Sequence, residues 1–309
     1  MKKISFPILI LFCLGLLLSC SKDADDDLPQ NPTAVDTTAN LKKTGDSAKD
    51  LLANADYDKL HVEIAYVKGF RPTQAAMDGF VAYLKSRTFK EEINLVYSEL
   101  PSPDKEKLTL DEIAELEKKH RTVYNQGKTL GVYIYFADAP AEEDDEDKDL
   151  VTLGAVYRNT SMIIHESTVR KLAGQSIFIT DADVESSTLN HEFGHLLGLV
   201  NLGISPVNDH EDIQTDANGE PVLDDKGNTM GNNHCNVNGC LMNAELQFGG
   251  SAKGKNALRT SKNGDGISAE CRLSGKSVLK MLKSRTAKGG LAPGLDSECI
   301  LDLQTNGGR

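Results

Sequence analysis

The run Leu189-Asn190-His191-Glu192-Phe193-Gly194-His195-Leu196-Leu197-Gly198 constrains this chain more than any other stretch. Leu189, Phe193, Leu196 and Val200 recur at helical spacing, so one side of a helix there belongs to a core. His191 and His195 are four positions apart and project together from another side, the separation at which two imidazoles grip one zinc ion. Glu192 adjoins the first of them, where a carboxylate can act as general base toward a water beside the metal. Gly194 is a poor helix former inside the run, and Gly198 gives the chain a place to bend back. Upstream, Thr180-Asp181-Ala182-Asp183 supplies the N-cap.

A zinc centre of this kind takes a third protein ligand. Three residues compete for the role. Asn201 stands three past Gly198, but an amide oxygen is a weak, neutral donor for zinc. His210 lies nearer the bend and is flanked by Glu211 and Asp212, acids able to orient its ring. His234 opens the segment His234-Cys235, which is followed by Cys240-Leu241-Met242. His61, His120 and His165 have no such context and read as ordinary surface or core histidines.

The HExxHxxG run and the downstream Met242 resemble the metzincin clan of zinc peptidases, in which a Met-turn lies beneath the metal. The clan places its third His where this chain has Asn201. The segment from His234 to Met242 resembles, less closely, that of archaemetzincins, where the third His is followed by Cys, a short loop, Cys, one residue and Met. That likeness favours His234 over His210 and Asn201, and makes residues 199–233 an insertion whose centre, from Asp216 to Asn228, looks like a hairpin with polar turns.

More widely, the stretch from about Ser47 to Met242 resembles membrane-anchored metalloproteases found as bacterial lipoproteins. The likeness rests on Val62-Glu63-Ile64, Pro72-Thr73, Arg121-Thr122, Tyr157-Arg158-Asn159-Thr160-Ser161 and the two segments above. It implies one catalytic Zn2+ on His191, His195 and His234, with Glu192 as general base and Met242 in the Met-turn. It also implies an endopeptidase whose peptide or protein substrate lies along an edge strand around Gly154 to Tyr157. The rival reading is a catalytically inactive surface lipoprotein of the same fold that binds a protein or glycan partner. Asn201 in place of the third His is its best argument.

The N-terminus fits an exported protein. Lys2 and Lys3 precede an apolar run from Ile4 to Leu18, and Leu17-Leu18-Ser19-Cys20 resembles a lipobox, so residues 1–19 read as a lipoprotein signal and Cys20 as the lipidated mature terminus. Residues 20–48 then read as an acidic tether, with the chain expected in the cell envelope, at the outer membrane and open to surface display, held through its lipid alone. Cys235, Cys240, Cys271 and Cys299 remain. In an exported chain that even number reads as two disulfides, Cys235 with Cys240 and Cys271 with Cys299. The CxxC with which archaemetzincins close a cysteine site is missing, and a four-thiolate zinc site is the alternative.

The rest of the sequence sets the architecture. The 309 residues, 39 % of them hydrophobic, are ample for a large core, and a net charge of −12 excludes a nucleic-acid binder. Strands are expected at His61–Val67, Ile93–Tyr97, Leu130–Phe136, Val151–Tyr157 and Met162–Ile164. Helices are expected after Pro72-Thr73 and after a capping box of Thr109 and Glu112. The acidic run Glu142–Asp147 reads as a solvated loop, Asn263–Gly266 as a turn and Ser277–Leu282 as a short helix. The fold class is therefore α+β, with an α/β-like N-terminal subdomain. The metzincin resemblance implies a mixed twisted sheet packed on the active-site helix over residues 49–198, with a smaller irregular C-terminal subdomain over 199–309.

Overall fold

The nine residues of β1 (Lys59–Val67) form the second strand of a six-stranded sheet, between two neighbours, and are buried on both faces from Val62 onward. The alternation of that segment reads as a half-buried strand because Glu63 interrupts it. The structure buries Glu63 as well, and its carboxylate accepts the amides of Thr122 and Val123, each at 2.8 Å. The computed structural model describes residues 35–145, 150–216, 218–243, 282 and 293–309, with the backbone of 270–274. The leader, the lipobox with Cys20 and the turn at Asn263–Gly266 lie outside these residues, as does all but Leu282 of the expected Ser277–Leu282 helix.

The elements follow in the order α1 (Ala48–Leu52), β1, α2 (Gln74–Arg87), β2 (Glu92–Leu100), α3 (Leu110–His120), β3 (Thr129–Phe136), β4 (Leu150–Arg158), β5 (Ser161–Ile164), α4 (Glu166–Ala173) and α5 (Asp181–Leu196). Beyond them come β6 (Glu211–Ile213), β7 (Gly231–Cys235), β8 (Glu270–Ser274) and α6 (Ser297–Thr305). The main sheet runs β2-β1-β3-β5-β4-β8; the first four strands are parallel, while β4 is antiparallel to both of its neighbours. Strands β6 and β7 make a separate antiparallel pair, and isolated bridges Thr215–Pro221 and Leu223–Thr229 extend the hairpin expected in 199–233. This is the mixed α+β sheet, packed on the helix that carries His191 and His195, that is expected from the sequence.

Two layers of side chains sandwich the sheet. On one face Val62, Ile64, Val132 and Ile134 meet α2 and α5, where Phe80 and Phe193 pack edge to face at 5.2 Å. On the other, Ala65, Val67, Tyr133 and Tyr135 meet Ile113 and Ala114 of α3. Both capping signals are formed: Thr109 with Glu112 opens α3, and Thr180 with Asp183 opens α5. Among the described residues no helix is long and apolar enough to cross a membrane.

The tether is shorter than the sequence suggests. Residues 38–40 form a 3-10 turn whose Asn40 is fully buried and donates to the carbonyl of Gly131 and the hydroxyl of Thr160, at 3.1 and 2.9 Å. Polar composition misleads here because the segment docks through hydrogen bonds, Lys42 N–H to Asn159 among them, instead of through an apolar face.

Pro72-Thr73 also has a tertiary role. Thr73 caps α2 and at the same time offers its amide and hydroxyl to the Glu185 carboxylate, on the first half of α5. Beside Glu185 stands Glu166, fully buried and paired with Arg170 at 2.6 Å. Burial first, and then the Glu185 charge, raises the Glu166 carboxyl to about 9 in spite of that arginine. The folded state thus holds a proton that the unfolded chain releases above the ordinary carboxylate range. This contribution to stability is complete below about pH 4.5 and disappears as the pH rises through 9. Urea unfolding of Glu166→Gln should lose less stability between pH 7 and 9 than wild type, the two diverging by at most about 1.4 kcal/mol per pH unit. Parallel pH profiles would show that Glu166 is ionised in the fold.

Candidate metal centre and active site

Helix α5 ends at Leu196, and Gly198 follows with φ +84°, a left-handed turn that a side chain would strain. A Cβ at Gly198 would also lie 2.7 Å from that of Ala48. The chain therefore turns sharply under the helix and returns through β7, which carries His234.

His191, His195 and His234 converge, and one ring nitrogen of each lies within 4.8 Å of the others. The ring centroids form a nearly equilateral triangle with sides of 4.9, 5.0 and 5.3 Å. The Nε2 atoms of His191 and His195 face one another at 3.2 Å. Their other nitrogens are committed where it matters: His191 Nδ1 donates to the Leu241 carbonyl at 2.6 Å, and His234 Nδ1 to the Asn232 carbonyl at 2.8 Å. A carbonyl only accepts, so both rings carry their proton on Nδ1 and turn a bare Nε2 toward the centre.

Burial fixes the charge state. The rings are 2 %, 0 % and 2 % exposed, and desolvation, reinforced by the neighbouring imidazoles, pulls His191 down to about 3 and His195 well below its ordinary value. Desolvation pulls His234 to about 4. Three neutral imidazoles in this arrangement fit zinc, which takes nitrogen donors without their protons.

The two competing residues lie elsewhere. Asn201, at φ 63°, is exposed and donates its side-chain amide to Glu211. His210 is buried, but its Nε2 lies 2.8 Å from Asp302 and its Nδ1 3.3 Å from the Cys235 sulfur. His165 is a core histidine whose Nδ1 donates to Ala139.

Met242 lies fully buried beneath the helix, where a Cβ on Gly194 would stand 2.3 Å from its sulfur. The glycine between the two helix histidines thus makes room for the turn below. Glu192 occupies the opposite side, next to β4: a Cβ on Gly154 would come 2.7 Å from Glu192 Cγ and 3.0 Å from Thr188 Cγ2. Gly154→Ala should displace Glu192 and destabilise the fold by about 1–3 kcal/mol of overpacking at the same point. Denaturant unfolding checks this; an unchanged stability would mean that β4 does not set the position of the carboxylate.

Two expectations need correction. The outer edge of β4 is covered by β8 from Leu150–Ser274 to Ala155–Glu270, so of the stretch expected to receive an extended peptide, Gly154 to Tyr157, the first part is already paired. Nor are the expected disulfides formed: Cys235, Cys240 and Cys299 are free, and the Cys299 sulfur lies 3.7 Å from that of Cys240. Spacing along the chain suggests a local Cys235–Cys240 bridge, whereas the fold also brings a third sulfur, Cys299 in the first turn of α6, beside Cys240. Of Cys271, on β8, only the backbone is described.

Some contributors carry no sequence signal. The carbonyls of Leu241 and Asn232, which set the histidine tautomers, belong to no residue type, and Gly154 is one glycine among 26. Asp302, three residues after Cys299, was placed too far from His210 along the chain to be linked with it.

No protein-family model and no curated protein matches this sequence. Among solved structures, the chain is similar to an archaemetzincin from Methanopyrus kandleri, at 13 % identity and a TM-score of 0.43, over 81 % of this chain and 96 % of that one. A likeness of that depth transfers nothing about activity, and the chemistry rests on the residues described above.

Proposed function

We propose that the chain is a zinc-dependent peptidase, acting as an endopeptidase on peptide or protein substrates. The observation that carries the reading is the convergence of three buried, neutral imidazoles beside a carboxylate that follows the first of them on one helix. His191, His195 and His234 would hold the ion. When bound, zinc supplies Lewis acidity, which polarises a scissile carbonyl and acidifies a water.

The chain's own groups do the rest. The Leu241 and Asn232 carbonyls fix the ring faces, so the ligands need little rearrangement to bind. Glu192, 1 % exposed and backed by β4, is placed to take the proton from the attacking water and return it to the leaving amine. The lipobox layout before Cys20 supports a lipid-anchored protein of the cell envelope.

The test is a peptide-library cleavage assay on the zinc-loaded chain, with His234→Ala and Asn201→Ala alongside. Cleavage that disappears with His234→Ala and survives Asn201→Ala supports the reading. A fully metallated chain that cleaves no peptide would favour the binding lipoprotein instead.

A further inference from the structure

The two acids beside His210 serve a different histidine. Along the chain, Glu211 and Asp212 are placed to orient the His210 ring, but that ring turns to Asp302, and both carboxylates are engaged by β7 instead. Strand β6 pairs with β7 at Glu211–Cys235 and next at Ile213–Gly231, so one residue of β6 stands opposite three of β7. His234 sits in that bulge. Asn233, just before it, has φ +61°, a left-handed conformation that asparagine tolerates better than most side chains.

A bulge leaves backbone groups without partners in the ladder, and here the acids supply them. The Glu211 carboxylate accepts the Asn233 amide at 2.6 Å through Oε1 and the Asn201 side-chain amide through Oε2. Asp212 accepts the Asn232 side-chain amide at 3.0 Å. Asn232 in turn accepts the His234 amide on its Oδ1 at 3.0 Å, and His234 Nδ1 on its carbonyl at 2.8 Å.

The two ends of the Glu211 bridge belong to opposite sides of the metal centre. Asn201 lies on the bend that follows α5, three residues past Gly198, while Asn233 adjoins the third imidazole. One carboxylate thus ties the segment leaving His195 to the segment presenting His234, and closes the base of residues 199–233. Gly231 leaves the space it occupies: a Cβ there would lie 2.1–2.3 Å from the carboxylate carbon and oxygens.

We propose that Glu211 is a positioning residue of the metal centre, clasping the Asn233 amide so that His234 meets His191 and His195, with Asp212 supporting it through Asn232. The inference rests on the reading of the triad as a zinc site. The bond to Asn233 is the principal one, since that amide belongs to the backbone beside the ligand. The bond to exposed Asn201 steadies the far side. Where a third histidine would follow Gly198, this chain carries an amide that helps to hold a ligand arriving from farther on.

The test is the zinc affinity of the triad in the full-length chain, measured by chelator competition as the binding that His191→Ala/His195→Ala loses. Glu211→Ala should weaken it about 10–100-fold, the usual effect of removing a group that orients a ligand. Glu211→Gln keeps an oxygen for the Asn233 amide and should stay within a few-fold of wild type. Gly231→Ala leaves the acid in the chain but pushes its flexible end aside, so it should reproduce the loss with unfolding stability near wild type. In the metal-free chain, the ring nitrogen-15 shifts of His234 should report one tautomer in wild type and a mixture in Glu211→Ala. Wild-type affinity in both Glu211→Ala and Gly231→Ala, a Glu211→Gln as weak as Glu211→Ala, or a single His234 tautomer in Glu211→Ala would each overturn the proposal. A wild type with no zinc at the triad would instead sink the peptidase reading, and the tautomer would then decide the clasp by itself.

Discussion

Glu192→Gln should bind as much zinc as the wild-type chain and cleave peptide about 10²–10⁴-fold more slowly, the range over which a positioned general base acts. The amide keeps the size and burial of the carboxylate, so the Phe80–Phe193 contact and the Gly154 wall should be undisturbed. It removes only the capacity to take a proton. The fall should therefore appear in kcat, with KM and metal content near their wild-type values. Cleavage within a few-fold of wild type, with metal content unchanged, would remove Glu192 from the chemistry and send the search for a base elsewhere in the site.

Glu117→Ala is the second change with a large expected effect, here on stability. Glu117 is 2 % exposed at the end of α3, and its carboxylate meets Arg121 at 2.6 Å, the Ser161 hydroxyl at 2.7 Å and Arg158 at 3.2 Å. Arg121, whose side chain is wholly buried, also donates to the carbonyls of Val123 and Gly131, at 2.7 and 2.9 Å. Removing the carboxylate leaves a guanidinium in the interior with no anion beside it. Breaking a buried pair from one side costs about 3–5 kcal/mol, and denaturant unfolding should register a loss of that order. A loss below about 1 kcal/mol would mean that water reaches the pair.

That network explains part of what was legible in the sequence. Arg121-Thr122, Val62-Glu63-Ile64 and Tyr157–Ser161 attract attention as signatures, yet each serves the scaffold: Glu63 holds the Thr122 and Val123 amides, and Asn159 and Thr160 anchor the segment around Asn40. Helix α5 was readable almost residue by residue, because capping, periodicity and the His-Glu-His spacing all act within one helix. The edges were not. That β8 would cover β4, that His210 would turn away to Asp302, and that the cysteines would meet in a cluster all depend on contacts between distant segments, about which local pattern says nothing.

The pairing of β4 with a strand so far along the chain has a consequence for how the molecule assembles. β1, β2 and β3 are connected through α2 and α3 and can pair as soon as those segments exist, whereas β4 must wait for β8, which follows the whole length of chain carrying the three histidines. Closing so long a loop is entropically late. Until it closes, a nascent chain displays one unpaired backbone edge beside a largely apolar strand, the form in which two copies most readily join edge to edge. The concentration of the chain and the speed with which β8 arrives therefore govern how much of this protein reaches its native state.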